Sequence, residues 1–124
     1  MKKLLIASLF VFVNLYYGQK IMKFRTTAVS YKARQSNKWT NWSDWFKASV
    51  LISVNAADKR IVIYSKETQT FDILGGGLNE SGNGGFSCMD RTGKRCMITI
   101  FTREQELFIQ YGDFEYIYKF YLID

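Results

Sequence analysis

The sequence predicts an all-β protein: a small antiparallel meander of about eight strands, curled into a barrel-like domain or a two-layer sandwich. The chain of 124 residues has no proline, and 17% of it is aromatic, which is typical of strands. Short segments that alternate apolar and polar residues are separated by turn residues along most of the chain. Several of these segments are apolar on both faces, so the sheet must cover itself.

Residues 1–18 are predicted to be a signal peptide. Two lysines follow the initial methionine, Leu4–Val13 is apolar except for one serine, and the stretch to Gly18 is more polar. The apolar run is shorter than the roughly 17–20 residues that a membrane span requires. We expect cleavage after Gly18, which would leave residues 19–124 as a single all-β domain. An uncleaved anchor is the alternative.

The first strand is predicted over Lys20–Arg34. Its alternation is imperfect, but Phe24, Thr26 and Ala28 are expected to share one face. A polar break follows the strand and leads into a tryptophan-rich segment.

Trp39, Trp42 and Trp45 recur at every third residue. A flat strand would place them on alternate faces, whereas a polyproline-like path would place all three on one side. An exposed row of this kind would be a stacking platform for sugar rings or a hot spot for a protein partner. We therefore treat the three as a candidate binding platform. The structural alternative is that they close one end of a small barrel.

The middle of the chain reads as hairpins. Phe46–Val54, Arg60–Ser65 and Gln69–Leu74 alternate with strand periodicity and are separated by short polar turns. Gly75–Gly85 then contains six glycines. A phosphate-binding loop would have to open a helix, and a strand follows here, so we expect a flexible connection.

Phe86–Phe101 is predicted to be one hairpin with a cysteine on each arm. Asp90 and Gly93 favour a three-residue loop that consists of a type I turn and a bulge glycine. This register places Cys88 directly opposite Cys96, within reach of a disulfide. Two cysteines without histidine make a poor metal site and do not form a C-x-x-C redox motif. We expect a structural disulfide.

The last hairpin is predicted to join Glu106–Tyr111 to Phe114–Ile123 through a two-residue loop, Gly112-Asp113. The expected pairs combine aromatic or aliphatic residues and one pair of opposite charges. They are Tyr111 with Phe114, Ile109 with Tyr116, Leu107 with Tyr118, and Glu106 with Lys119.

Charge and residue types argue against several function classes. The chain has 17 Lys and Arg against 11 Asp and Glu, and removal of residues 1–18 takes two lysines away. The remaining +4 is scattered rather than gathered in the basic stripe of a nucleic-acid groove. The chain has no histidine, and several of its aspartates lie at predicted turns, where they are expected for structural reasons. We expect no enzymatic activity, cofactor, metal or nucleic-acid partner.

Three segments resemble a group of small exported β-sheet proteins of Bacteroidetes and flavobacteria. They are Trp39–Trp45 (WTNWSDW), Lys59–Ile73 (KRIVIYSKETQTFDI) and Cys88–Cys96 (CMDRTGKRC). The double-lysine start and the Gly18-Gln19 junction fit the same group. This resemblance implies export and a β-sheet fold, and it carries over no activity and no functional residue.

The chain is therefore expected to be an exported protein of the periplasm or cell surface, without a membrane span after signal cleavage. The aromatic surplus favours a non-catalytic binding module for a small apolar ligand, a glycan or a protein partner. The alternative is an envelope structural or interaction protein that docks to another exported protein through a sheet edge or an aromatic patch.

Overall fold

The computed structural model describes residues 21–123. The predicted signal peptide and its cleavage site lie outside the described residues. Those residues form ten β-strands and no helix, which confirms the all-β prediction. The strands are β1 (Ile21–Gln35), β2 (Lys38–Trp39), β3 (Phe46–Lys47), β4 (Leu51–Asn55), β5 (Arg60–Tyr64), β6 (Gln69–Leu78), β7 (Gly84–Asp90), β8 (Arg95–Phe101), β9 (Glu106–Gln110) and β10 (Phe114–Ile123).

Eight of these strands form a closed antiparallel barrel. From β4 to β10 each strand pairs with the next one in the chain, and β1 pairs with both β4 and β10. The predicted meander is therefore confirmed, and of the arrangements left open it is the closed barrel. Closure gives each of the eight strands two neighbours, so the barrel avoids the unpaired edges of an open sheet.

The interior of the barrel is filled by side chains. Each of the eight barrel strands contributes inward-facing residues to one apolar cluster, as expected from the two-residue period of a strand. The fully buried large members include Phe24, Ile52, Ile61, Ile63, Phe71, Ile98, Ile100, Leu107 and Ile109. The barrel is therefore solid at its centre, and open space remains at its two ends.

A bulge at Thr27 corrects the predicted face of β1. Phe24 and Thr26 are buried as expected, but the register with β10 shifts between Thr26 and Ala28. The extra residue reverses the alternation, so Val29, rather than Ala28, packs against the core.

The glycine-rich stretch is mostly strand, which corrects the prediction of a flexible connection. Gly75, Gly76 and Gly77 belong to β6, Gly84 and Gly85 belong to β7, and only residues 79–83 form the loop. The two strands approach so closely that a Cβ at Gly76 or Gly84 would collide with a carbonyl group of the opposite strand. The glycines therefore permit close strand pairing rather than flexibility.

Both hairpin registers predicted from the sequence are confirmed. Cys88 pairs with Cys96 across a turn in which Gly93 has a φ of 88°. In the last hairpin Ile109 pairs with Tyr116, Leu107 with Tyr118 and Glu106 with Lys119. The amide of Tyr111 donates to the carbonyl of Phe114 at 2.9 Å.

The predicted strand over Phe46–Val54 is interrupted. Residues 38–55 return antiparallel to β1 as β2, β3 and β4, with irregular backbone between them. Within the predicted strand, Lys47 pairs with Ala28 and Leu51 with Arg25. Four steps along the return thus match three along β1, so the strand cannot continue through residues 48–50. The return is also longer than β1 before this point, where Trp39 pairs with Arg34 and Phe46 with Val29.

Candidate functional site

One open end of the barrel is lined by residues from opposite sides of the sheet. We call it the tyrosine mouth. It is a cavity of about 550 Å³. Its lining residues are Val29, Tyr31, Thr68, Gln69, Thr70, Phe71, Asp90, Arg91, Thr92, Tyr111, Phe114, Tyr116 and Tyr118.

One wall of the tyrosine mouth, from β1, β10 and the turn before β10, is aromatic. Phe114 lies nearly parallel to Tyr111 and to Tyr116, with ring centroids 4.5 Å and 6.0 Å apart. Tyr118 meets Tyr116 edge to face at 5.7 Å. Tyr31 stands at the rim, 53% exposed, and stacks on Phe46 at 6.0 Å. Offset and edge-to-face contacts of this kind hold rings in fixed positions.

The facing wall is polar and comes from β6 and the β7–β8 turn, which lie across the barrel from β1 and β10 in the strand order. It presents the amide of Gln69, the hydroxyls of Thr68, Thr70 and Thr92, and the charged groups of Asp90 and Arg91. The mouth therefore offers an apolar ring surface opposite a set of hydrogen-bonding groups, the combination found in small-molecule sites.

Asp90 joins the turn to the aromatic wall. Its Oδ1 accepts hydrogen bonds from the amides of Thr92 and Lys94, both at 2.9 Å, and from the Thr92 hydroxyl at 2.7 Å. Its Oδ2 accepts from the Tyr111 hydroxyl at 2.7 Å. The Thr92 hydroxyl, followed by Tyr111 and the two amides, lowers the pKa of the Asp90 carboxyl to about 2, because each bond favours the charged form.

A second contact crosses the mouth directly, from the hydroxyl of Tyr116 to Oε1 of Gln69 at 3.4 Å. Burial raises the pKa of the Tyr116 hydroxyl, and burial together with the bond to Asp90 raises that of Tyr111. At neutral pH the hydroxyls of Tyr111 and Tyr116 are thus neutral donors and acceptors, while Asp90 is ionised. This set of groups can bind and orient a ligand, but it has no group poised near pH 7 for proton transfer.

The opposite end of the barrel has a smaller cavity of about 390 Å³. It lies beside the glycine-rich part of β6, and its walls include Met22, Val54, Ile73 and Phe86. Its lining includes one charged residue, Lys59, so it offers a ligand fewer polar contacts than the tyrosine mouth.

The three tryptophans lie on the outside of the barrel, beside β1. Thr40 and Ser43 explain their spacing. The amide of each donates to a β1 carbonyl, Ala33 or Tyr31, at 2.8 Å, and the hydroxyl of each accepts from the amide of the same β1 residue at 3.0 Å. Three residues of the return thus match two residues of β1, so every third side chain points the same way.

Each tryptophan stands against a lysine ammonium group. Lys32 Nζ lies 5.2 Å from the ring centroid of Trp39 and 4.7 Å from that of Trp42, and Lys119 Nζ lies 4.3 Å from that of Trp45. These contacts between ammonium groups and aromatic rings are cation–π contacts. Lys32 also forms an ion pair with Glu115 at 3.6 Å. We call this row of three tryptophans and two lysines the tryptophan ladder.

The tryptophan rings keep part of their surface in solvent. Trp39 is 39% exposed, Trp42 38% and Trp45 43%. None of the three lines either barrel-end cavity. The alternative in which they close one end of the barrel is therefore wrong, because the bulge and the three-residue repeat direct them outward.

Cys88 and Cys96 are directly opposed, as predicted, and both are buried free thiols in the structure. Burial raises the pKa of Cys88 to about 12 and that of Cys96 to about 11. A thiol with so little thiolate is a poor nucleophile or metal ligand at neutral pH. The disulfide between them stays a prediction.

Residues 21–123 contain no group of three or more His, Cys, Asp or Glu side chains that could hold a metal ion. The same part of the chain has no helix long and apolar enough to cross a membrane.

Sequence reasoning selected the tryptophans but missed the tyrosine mouth. From the sequence, Asp90 is expected only as a turn residue, and Tyr111, Phe114 and Tyr116 only as cross-strand partners. The contacts that assemble the mouth join residues 21 and 47 positions apart. A usable signal was the cluster of tyrosines at the start of β10, which closure of the barrel brings opposite the start of β6.

The chain was also compared with known proteins. No protein-family model, curated protein or solved structure matches it.

Proposed function

We propose that the chain is a non-catalytic binding module that holds a small, partly apolar ligand in the tyrosine mouth. The single observation that carries this proposal is the facing of an aromatic wall and a polar wall across a cavity of about 550 Å³. A ligand with one flat apolar side and a few polar substituents would satisfy both walls at once. The barrel centre is packed, so the ligand would sit at the end rather than deep inside.

The absence of catalysis is part of the proposal. Three ionisable groups at the mouth have pKa values that are moved further from pH 7: that of Asp90 is lowered, and those of Tyr111 and Tyr116 are raised. General acid–base work at neutral pH favours groups that titrate near the working pH. These groups are better suited to fixed hydrogen bonds.

The test removes the exposed part of the aromatic wall. Tyr31→Ala deletes a rim tyrosine that is 53% exposed, so the barrel is expected to keep its fold. We expect the affinity for anilinonaphthalene sulfonate, measured by fluorescence titration, to fall about tenfold, as for loss of an aromatic anchor. Tyr64→Ala is the matched control, because Tyr64 is 50% exposed but does not line the mouth.

Native mass spectrometry of the protein purified from its own host tests the same site with the natural ligand. A small molecule that leaves on denaturation would support the proposal, provided that Tyr31→Ala reduces its occupancy. Equal loss of dye affinity in the Tyr31 and Tyr64 variants, or no dye binding by the wild type, would refute a site at the mouth.

The second candidate is an envelope interaction protein. The observation that favours it is the partly exposed tryptophan ladder on the outer wall, since tryptophan is enriched at the centres of protein interfaces. Docking through a sheet edge has less support, because closure pairs all eight barrel strands. A stable assembly in the native mass spectrum, lost in Trp42→Ala, would favour this function over the first.

We also propose that the protein is exported after cleavage following Gly18. The charged start and short apolar run of residues 1–18 support this, and the resemblance of the tryptophan-rich and cysteine segments to small exported proteins of Bacteroidetes agrees with it. A buried, directly opposed cysteine pair suits an oxidising compartment.

A further inference from the structure

We infer that the tryptophan ladder is a second binding surface, independent of the mouth, and that it takes a linear anionic polysaccharide. The inference rests on three features of the outer wall: its charge, its convex shape and its regular repeat.

Positive charge is concentrated in the part of the chain that builds the ladder. Residues 21–50 contain six cations and a single carboxylate, Asp44, whereas residues 51–123 contain eight cations and nine carboxylates. The six cations are Lys23, Arg25, Lys32, Arg34, Lys38 and Lys47. The neighbouring β10 adds Glu115, which pairs with Lys32. The positive surplus at the ladder therefore comes from the other cations of residues 21–50, and such a surplus attracts anions.

Several of these cations are free to meet a partner. Arg34 pairs with Trp39 across the strands, and Lys38 and Lys47 flank the ladder. All three are exposed, and none forms an ion pair with a carboxylate of residues 21–123. An approaching anionic group would therefore gain a charge interaction without having to break one.

The shape of the wall excludes a small ligand. The rings project from the outside of a barrel, so they have no facing wall. A small molecule would bury only one of its sides there, whereas small-molecule sites are concave. An extended polymer can contact all three rings in a row and sum their contributions.

The repeat along the ladder matches a linear chain of units. Consecutive tryptophans are offset by two residues of β1, a step of about 7 Å in a strand. Trp39, Trp42 and Trp45 therefore form a straight row of about 14 Å. Sugar rings have an apolar C–H side that can pack against the exposed part of aromatic rings, and acidic sugars add carboxylates for the flanking cations.

A single-stranded nucleic acid fits this surface less well. Its bases bind by stacking against open ring faces. Here the Lys32 ammonium group already lies over the rings of Trp39 and Trp42, within 5.2 Å of both centroids. Stacking on those covered faces is blocked for a base, whereas a sugar chain can lie across the part of the rings that stays exposed.

The first test uses polygalacturonate and its fully methyl-esterified form, which share a backbone but differ in charge. We expect the full-length mature protein to be retarded by polygalacturonate in native affinity electrophoresis. Retardation should weaken with added salt, because screening reduces the attraction. The esterified polymer should retard it at least fivefold less. Equal retardation by both polymers, or by neither, would overturn the inference.

Variants separate the ladder from the mouth. Trp42→Ala should weaken polygalacturonate binding about tenfold. Because that variant could also disturb β1, the exposed pair Arg34→Glu with Lys38→Glu provides a second measurement, with the same loss expected. Lys66→Glu with Arg103→Glu makes the same change in net charge away from the ladder and should bind the polymer more tightly than the Arg34/Lys38 pair. If both double variants weaken polygalacturonate binding equally, the effect comes from net charge alone, and the inference of a specific binding surface is overturned.

Further arms identify the partner class. Tyr31→Ala should keep polygalacturonate binding, so failure of the mouth proposal and failure of this one are distinguishable. Tighter binding to oligo(dT), or to vesicles of phosphatidylglycerol, than to polygalacturonate would replace the polysaccharide with nucleic acid or membrane and refute the inference.

Discussion

Asp90 shows how one side chain can serve both the local turn and the distant site. Its Oδ1 closes the β7–β8 turn through Thr92 and Lys94, and its Oδ2 holds Tyr111, which is 21 residues away in the chain. An aspartate at this turn position was predictable from turn chemistry alone. Its bond to Tyr111 was not, because that bond depends on the pairing of β7 with β8 and of β8 with β9.

Tyr111→Phe tests this bond. It removes one hydrogen bond to a charged acceptor, so we expect the free energy of unfolding to fall by about 1 kcal/mol at pH 7. The folded-state pKa of Asp90 lies below its usual value of 3.8, at about 2. The stabilisation is therefore present above pH ~4 and is lost as the pH falls through ~2.

Urea unfolding of wild type and Tyr111→Phe from pH 7 down to pH 2 measures this difference. The difference in free energy of unfolding between the two proteins should become smaller as the pH approaches 2. Tyr64→Phe removes an exposed hydroxyl on the outside of the barrel. Its free energy of unfolding should equal that of the wild type at every pH. A gap that stays constant with pH would mean that Tyr111 stabilises the barrel by packing rather than through Asp90.

At the level of elements, the hairpins were predictable because their registers depend on neighbouring residues. The pairs Cys88–Cys96 and Glu106–Lys119 follow from a turn type and an alternation pattern. The bulge at Thr27 and the strand conformation of the glycine-rich stretch were not predictable. Both depend on the geometry of the closed barrel, in which strands bend at bulges and backbones must approach closely at particular positions.

Two glycines of that stretch offer a matched comparison. A Cβ at Gly84 would collide with the carbonyl group of Gly77 on the opposite strand, whereas a Cβ at Gly77 meets nothing within 4 Å. We expect Gly84→Ala to destabilise the barrel by about 2 kcal/mol or more, and Gly77→Ala to change stability by less than about 0.5 kcal/mol.

Thermal and urea unfolding of both variants, followed by circular dichroism, would measure these effects. Similar stabilities for the two would show that β6 and β7 can separate slightly at little cost. The close approach would then have no part in fixing their register.

At the scale of the whole molecule, the barrel depends on contacts between the two ends of the described chain. β1 pairs with β10 along most of its length, and the rings of Phe24 and Phe120 meet at 4.4 Å across that seam. Such long-range pairing makes folding slow relative to local hairpin formation. The same seam creates both proposed sites, because it supplies the aromatic wall of the mouth and brings Lys119 to the ladder.

The order of folding and oxidation follows from the same architecture. Cys88 and Cys96 lie inside the closed barrel, where burial raises their pKa values to about 12 and about 11. Thiol oxidation and exchange proceed through the thiolate, so a bond between them is expected to form before the barrel closes. Export would present the unfolded chain to an oxidising compartment at that stage.

We therefore expect protein from the envelope of its host to begin at Gln19 and to contain the Cys88–Cys96 disulfide. Its intact mass without reductant should be two hydrogens lower than after reduction. Reduction should lower the free energy of unfolding by about 2–3 kcal/mol, the chain-entropy value for so short a loop. The double variant Cys88→Ala with Cys96→Ala should not respond to reductant. If both thiols can be alkylated in protein that was unfolded without reductant, the predicted disulfide is absent. The hairpin would then be stabilised only by the Asp90 turn and by packing in the core.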